Sequence, residues 1–251
     1  MPVLVVIPAR LGSTRLPRKP LQPLGGVPLI VRVAERIHSL GVAHRVVVAT
    51  DAEEVAAVVG TAGFEAVLTS PGHRSGSDRV FEVSCRPEFA GFDEILNVQG
   101  DEPFVSCAAV SGALARLRAG FDLGTAAIPV ELAEARYPSR VKVVMDLRGR
   151  ALYFSRSLIP HGGLAGSQAD PPRYWQHVGV YAYGPAALRR FAESPATALE
   201  RVERLEQLRA LELGLSIGVE LVDEPAAPQV DTPEDLLVAE EYWHVTQEAT
   251  R

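Results

Sequence analysis

Short apolar runs alternate with helix-like segments along the first hundred residues, and that alternation leaves few folds open. Val3 to Ile7, Arg45 to Ala49, Glu65 to Leu68 and Glu94 to Gln99 read as strands, while Pro28 to Leu40 and Glu53 to Thr61 read as helices and a third helix begins near Ser77. Parallel neighbours need a crossover, and the crossover helix covers a face of the sheet. The expected class is α/β: a Rossmann-like, mostly parallel sheet with helices on both faces.

Past Tyr137 the texture changes. Val141 to Asp146 and Ala151 to Arg156 are β-rich runs around a glycine turn, the pattern of a hairpin. Pro160 to Arg173 is a long loop rich in Gly and Pro, a lid or interface candidate. His177 to Tyr183 alternates as a strand, which sets His177, Gly179, Tyr181 and Tyr183 on one face. Ser106 to Ala119 and Glu200 to Leu213 read as helices, the latter carrying Glu203, Glu206 and Gln207, and Leu123 to Val130 and Ser216 to Val222 as strands. The expectation is one domain over 1–251, with a core at 1–135, a smaller β-rich insertion at 136–200 and a return to the core at 201–251.

A net charge of −6 argues against bulk nucleic-acid binding, which leaves a basic footprint. Cys85 and Cys107 show neither C-x-x-C spacing nor a Cys/His cluster, so two reduced, partly buried thiols are expected. The first apolar run is too short for a signal sequence or a membrane span, and the reading is cytosolic, with no membrane partner.

Against that acidic background the loop after the first strand stands out. Arg10, Arg15, Arg18 and Lys19 fall within ten residues, with Gly12, Ser13 and Thr14 between them. Small residues let backbone N–H groups approach an anion and the cations neutralise it, which describes a polyphosphate cradle at the strand end where α/β sheets hold ligands. A solvated basic loop is the plain alternative, but Pro8, Pro17 and Pro20 fix the backbone and favour a shaped loop. The loop matches neither the G-x-x-x-x-G-K-[ST] nor the G-x-G-x-x-G pattern. Ser75-Gly76-Ser77 opens a helix whose N–H groups could meet a base edge or phosphate, with plain N-capping the equal alternative. After the strand ending at Gln99, Gly100 releases Asp101, a first candidate for Mg²⁺ with Glu102 behind it; an acidic turn is the alternative. Asp231, before Thr232-Pro233, reads from its neighbours alone as an N-cap or N′ residue.

The opening segment Ile7 to Leu21 resembles, nearly letter for letter, the nucleotide-binding signature of the sugar-acid cytidylyltransferases, most closely the branch that activates 3-deoxy-manno-octulosonate (Kdo). The blocks Arg74-Ser75-Gly76-Ser77-Asp78-Arg79, Asn97-Val98-Gln99-Gly100-Asp101-Glu102-Pro103, Val141-Lys142-Val143-Val144, Ala151-Leu152-Tyr153-Phe154-Ser155-Arg156, His177-Val178-Gly179-Val180-Tyr181, Leu205-Glu206-Gln207-Leu208-Arg209 and Val230-Asp231-Thr232-Pro233-Glu234-Asp235-Leu236 follow in the family's order. The resemblance implies transfer of CMP from CTP to the anomeric hydroxyl of Kdo, with release of pyrophosphate, for lipopolysaccharide biosynthesis. It implies Arg10, Lys19, Asp101 and Asp231 as the catalytic set, with Asp101 and Asp231 as Mg²⁺ ligands. Pro8, Ala9, Arg10, Arg15, Lys19, Ser75, Gly76 and Gln99 would meet CTP. Gln99, Lys142, Tyr153, Arg156, His177, Tyr181, Glu206 and Gln207 would meet Kdo, and the hairpin region would serve a homodimer. Where relatives have an Asn-Pro-Asn-type turn, this chain has Tyr137-Pro138-Ser139-Arg140, so no contact is carried over there, nor from His161 to Tyr174.

Two other readings stay open at this point: a cytidylyltransferase for N-acylneuraminate or 8-amino-Kdo, and a nucleotide-binding module without turnover. A nicotinamide oxidoreductase, which the sheet pattern alone would permit, lacks its glycine fingerprint and is set aside unless the protein binds NAD tightly.

Overall fold

The computed structural model describes residues 1–13, 15–73, 75–162 and 173–249. Thr14, Arg74 and most of the Pro160 to Arg173 loop, read above as a lid or interface candidate, lie outside the described residues. The chain forms two compact units, Met1–Cys107 with Ala227–Arg251, and Ala108–Ala226.

In the first unit, strand β1 (Val3–Ala9) pairs in parallel with β2 (Arg45–Thr50), and β2 in turn with β3 (Glu65–Leu68); on its other side β1 pairs in parallel with β4 (Glu94–Val98). Val5 lies opposite Val46 and Leu96. Every residue from Val3 to Ile7 is buried, so helices cover both faces and the strand reads as one continuous apolar run. Each fully buried Val, Leu or Ile contributes about 1.5–3 kcal/mol. Helix α1 (Leu29–Ser39) buries Leu29, Ile30, Val33 and Ile37, the i, i+1, i+4, i+8 stripe of an amphipathic helix. Helix α2 (Glu53–Thr61) covers β3, and α3 (Gly76–Ser84) packs on β1.

The loop after β1 is held by the far end of the chain. Leu16, Leu24, Leu29, Val230 and Ala239 form one buried cluster, flanked by Phe104, Leu236 and Trp243. The C-terminal helix, Pro233–Ala249, supplies Trp243, which lies under the Arg32 guanidinium at 4.0 Å, and Glu240, which accepts the Gly25 N–H at 2.9 Å. Gly25 has φ +56, and a Cβ there would sit 2.3 Å from Trp243 Nε1, so both the backbone angle and the close approach require glycine.

In the second unit, β5 (Leu123–Val130) pairs with β8 (Tyr174–Tyr183) antiparallel and with β9 (Ile217–Leu221) in parallel. Strands β6 (Lys142–Met145) and β7 (Ala151–Ser155) form the expected hairpin, and β6 joins β8 at Lys142 opposite Gln176. Asp146 turns the hairpin, accepting the N–H groups of Arg148 and Arg150. Helix α4 (Cys107–Arg118) comes so near β5 that a Cβ at Gly124 would fall 1.8 Å from the Ala113 carbonyl. Helix α5 (Pro185–Ala192) follows β8.

Two sequence expectations need correction. The single helix from Glu200 to Leu213 is two short ones, α6 (Ala198–Glu203) and α7 (Gln207–Glu212). They are separated at Arg204, which has φ 56 in the left-handed region, a conformation costing a non-glycine residue about 1–2 kcal/mol. The buried Glu200 carboxylate accepts from Arg209 Nε at 2.8 Å and from its Nη2, clamping the two helices. Cys85 and Cys107, expected to be partly buried, are both exposed and carry no disulfide.

Candidate active site

The loop after β1 and the turn after β4 both leave the C-terminal ends of their strands. Lys19 opens a 3-10 turn, Lys19–Leu21, and its Nζ donates to Asp101 Oδ2 at 2.8 Å and to Asp231 Oδ1 at 2.9 Å. Residues 82 and 212 positions apart thus meet on one ammonium. Asp231 is brought there by the buried Val230, whose N–H donates to the Asp101 carbonyl at 3.1 Å. Arg15 adds a second cation, 3.2 Å from Asp231, but its side chain is 65% exposed against 18% for Lys19. Burial alone would lower the Lys19 pKa, yet the two aspartates outweigh it and raise it. Burial alone would raise that of Asp231, yet Lys19 and then Arg15 outweigh it and the carboxyl falls below its ordinary range.

Asp231 does not cap the C-terminal helix. Thr232 Oγ1 accepts the Asp235 N–H at 3.2 Å, and Asp235 accepts the N–H groups of Thr232 and Asp231, so the Asp231 carboxylate is left for the cation. Glu102 is buried and accepts from Gln229, apart from this pair. Arg10, directly after β1, is exposed.

The candidate nucleotide residues also gather. A Cβ on Gly76 would stand 3.2 Å from Pro8 Cγ and 3.8 Å from Gln99 Oε1, and one on Gly100 would stand 2.9 Å from the Pro8 carbonyl. Pro8, Gly76, Gln99 and Gly100 therefore form one narrow place at the end of β1, with Ala9 buried behind it. The plain reading of Ser75 holds as well: its Oγ accepts the Asp78 N–H at 3.2 Å and its N–H donates to Asp78 at 3.1 Å, a full capping box. Two α3 residues that sequence reasoning did not single out hold this turn. Arg79 donates to Asp51 at 2.8 Å and to Thr69 Oγ1 at 2.6 Å, and Glu82 accepts the Ser70 N–H and bonds His73.

The sugar-acid candidates of the second unit divide between two faces. Directly opposed residues share a face of a sheet, so Lys142, Ser155 and Gln176 line one and Tyr153 with Val144 continues it. His177 and Phe154 line the other, with ring centroids 5.2 Å apart, and Tyr181 stacks on His177 at 5.1 Å. The bulge in β8 between Val178 and Tyr181 adds two residues, an even number, so His177, Tyr181 and Tyr183 keep the shared face that alternation predicts.

Lys142 and Tyr153, expected as sugar contacts, lie by this register on the face opposite His177. Burial lowers the Lys142 pKa, and its Nζ donates to the carbonyls of Tyr137, Arg140 and Arg156. Tyr153 has its pKa raised by burial and then by Glu203, which it bonds. Arg156 donates from its guanidinium to the carbonyls of Glu203 and Pro138, at 3.0 and 3.1 Å. Gln207 is buried at the start of α7 with Glu206 just before it.

His177 Nε2 lies 2.9 Å from Thr125 Oγ1, whose hydroxyl proton goes to the Val180 carbonyl at 2.7 Å. The histidine must then donate from Nε2, leaving Nδ1 as an acceptor. Burial pushes its pKa down to about 3. Because the unfolded ring protonates near 6.5, this group's contribution to stability is complete above pH 6.5. It is lost as the pH falls toward 3, at about 1.4 kcal/mol per pH unit. Urea midpoints at pH 7 and pH 5 should therefore fall further for the unaltered protein than for His177→Gln; parallel shifts would show that the ring is not held neutral.

A parallel sheet whose first loop joins a lysine to two aspartates, with Pro8, Gly76, Gln99 and Gly100 close together at the strand end, fits the class of the nucleotidyltransferases. A cytidylyltransferase family model matches residues 4–217. A 3-deoxy-manno-octulosonate cytidylyltransferase of Gemmatimonas aurantiaca is 51% identical, with 99% of this chain and 97% of the relative covered. One of a Bradyrhizobium species is 46% identical over 94% and 95%. Among solved structures, a CMP:2-keto-3-deoxy-manno-octonic acid synthetase complexed with CTP matches with a TM-score of 0.89 and 38% identity, covering 98% of this chain and 100% of that one. The chain belongs to the cytidylyltransferase family, on the branch of the 3-deoxy-manno-octulosonate cytidylyltransferases.

Proposed function

We infer that this protein transfers CMP from CTP to the anomeric hydroxyl of Kdo, giving CMP-Kdo and pyrophosphate for lipopolysaccharide biosynthesis. The observation that carries the reading is Lys19 bonded to Asp101 and Asp231 together; the Pro8–Gly76–Gln99 place at the end of β1 is where a base and ribose would enter. The sugar oxygen forms its bond to the α-phosphorus as the bond to the pyrophosphate oxygen breaks. Catalysis of such a step is mainly positioning and charge neutralisation. Arg10, Arg15 and Lys19 are the cations of the loop that would meet the charge on the leaving pyrophosphate. In the second unit, His177 Nδ1, Tyr181, Arg156, Glu206 and Gln207 would supply the mixture of acceptors and donors that an anionic, hydroxyl-rich acid requires.

The donor set also fits magnesium. Among the described residues no group of three or more His, Cys, Asp or Glu side chains gathers as a metal site. A cation here would rest on Asp101 and Asp231 plus substrate phosphates, which is how magnesium is usually held. When bound, Mg²⁺ would supply positive charge to the triphosphate and make the sugar hydroxyl more acidic. Lys19 would then turn from the aspartates toward the phosphates.

Exposed Tyr137, Leu147 and Leu152 around the hairpin support a homodimer. Cys85 and Cys107, exposed and without a disulfide, support a cytosolic location. Among the described residues no helix is long and apolar enough to cross a membrane.

Pyrophosphate release with CTP and Mg²⁺ tests the function across Kdo, 8-amino-Kdo and N-acetylneuraminate. Kdo should be the best acceptor; turnover of the nine-carbon acid without turnover of Kdo would move the protein to the other sugar-acid branch, and no turnover at all would leave a binding module.

A further inference from the structure

Glu203 ends α6 and has no part in the reading above, yet three of the neighbouring groups converge on it. Its carboxylate accepts the Ser155 hydroxyl at 2.6 Å and the Arg156 N–H at 3.0 Å, and it bonds Tyr153. Its own carbonyl, and that of Arg204, accept from the Arg156 guanidinium at 3.0 and 3.4 Å. Helix-end carbonyls need partners, and here one arginine supplies two. Lys142 meanwhile holds the Arg156 carbonyl at 2.6 Å. Arg156 is therefore fixed at its N–H, its carbonyl and its guanidinium, and the link to Glu203 runs in both directions.

The same contacts stabilise the left-handed turn at Arg204, whose φ of 56 starts a new direction for the chain. Two residues later come Glu206 and Gln207, at the head of α7. Without that turn α6 would run on, and the spacing of helical residues would carry Glu206 and Gln207 round to other faces.

We propose that Glu203 is a positioning residue for sugar-acid recognition, setting Arg156 directly and the Glu206–Gln207 segment through the turn at Arg204. The proposal rests on the functional reading above. The Glu203 carboxylate is taken up by Ser155, Arg156 and Tyr153, so it acts through groups that would meet the carboxylate and hydroxyls of the acid.

Glu203→Gln tests it, because glutamine keeps the volume but turns an NH₂ toward either the Ser155 hydroxyl or the Arg156 N–H and removes the charge. Losing a charge-assisted hydrogen bond of this kind should raise KM for Kdo about tenfold, with KM for CTP within about twofold of the unaltered protein. A merely structural role would lower the melting temperature or move both constants together, and an unchanged KM for Kdo would overturn the assignment. Should Glu203→Gln fail to fold, Ser155→Ala removes one donor and leaves the charge; it should raise KM for Kdo about threefold with no change for CTP, and equal effects on both substrates would overturn the proposal. If the unaltered protein releases no pyrophosphate with Kdo, this proposal and the functional reading fall together; if it does and only the variants disappoint, the positioning role alone is lost.

Discussion

Asparagine at position 231 should slow pyrophosphate release about 10²–10³-fold while the protein stays folded and still binds CTP, though more weakly. The expectation follows from the division of labour at the start of the C-terminal helix. Thr232 and Asp235 cap it between themselves, and the buried Val230 anchors the segment, so the Asp231 side chain carries no part of the helix start. Its carboxylate lies on Lys19 at 2.9 Å and near Arg15 at 3.2 Å, with Asp101 on the same ammonium. Asparagine preserves the shape and removes the negative charge that would hold a divalent cation. Asp101→Asn should act alike, since the backbone carbonyl that receives Val230 is untouched. A melting curve beside the rate separates the outcomes: a rate within fivefold of normal in a folded Asp231→Asn protein would remove the aspartate from the chemistry.

Lys19→Met should lower kcat by about 10²-fold, the scale expected when a preorganised charge opposite a leaving group is lost. Lys19 is the less exposed of the two loop cations that touch Asp231, and it alone joins both aspartates. Arg15→Ala should cost less, because a side chain 65% exposed works against water and salt. The variant also has a reading in pH. With Lys19 present, the Asp231 carboxyl sits below its ordinary range, so its contribution to stability is complete above the unfolded carboxyl's titration and is lost as the pH falls through the folded one. Without the ammonium, burial pushes the other way with less to oppose it, and the loss on acidification should begin at higher pH. Melting temperatures from pH 7 to pH 4 would register the shift; superimposable profiles would mean that Lys19 does not govern the Asp231 carboxylate.

Much of this was visible in the residues alone because local rules suffice for it. The apolar run into β1, the loop rich in Gly, Pro and cations after it and the Gly100-Asp101 exit from β4 are each set by neighbours a few positions away. Asp231 looked from its surroundings like an ordinary helix start; only the family resemblance marked it, and only the packing of Leu16, Leu24 and Val230 shows how it reaches Lys19. The face that Lys142 and Tyr153 share was hidden for a related reason. Alternation says that two residues of one strand share a face, but strand pairing decides which residues of other strands share it, and the hairpin turns those two side chains away from His177. The break at Arg204 was illegible because arginine has no preference for positive φ; contacts from Arg156, 48 residues earlier, make it tolerable. The exposure of Cys85 and Cys107 likewise depends on which way their helix ends face, which composition does not carry.

The claim beneath all of this is that Asp101 and Asp231 act as one unit on one cation and one triphosphate. Turnover of Asp101→Asn, Asp231→Asn and the double variant, measured as pyrophosphate release from CTP with Kdo, tests it directly. Groups that work as a unit are strongly non-additive, so the double variant should be no more than about tenfold slower than the slower single one. Losses that multiply would mean two independent roles and would contradict the shared site.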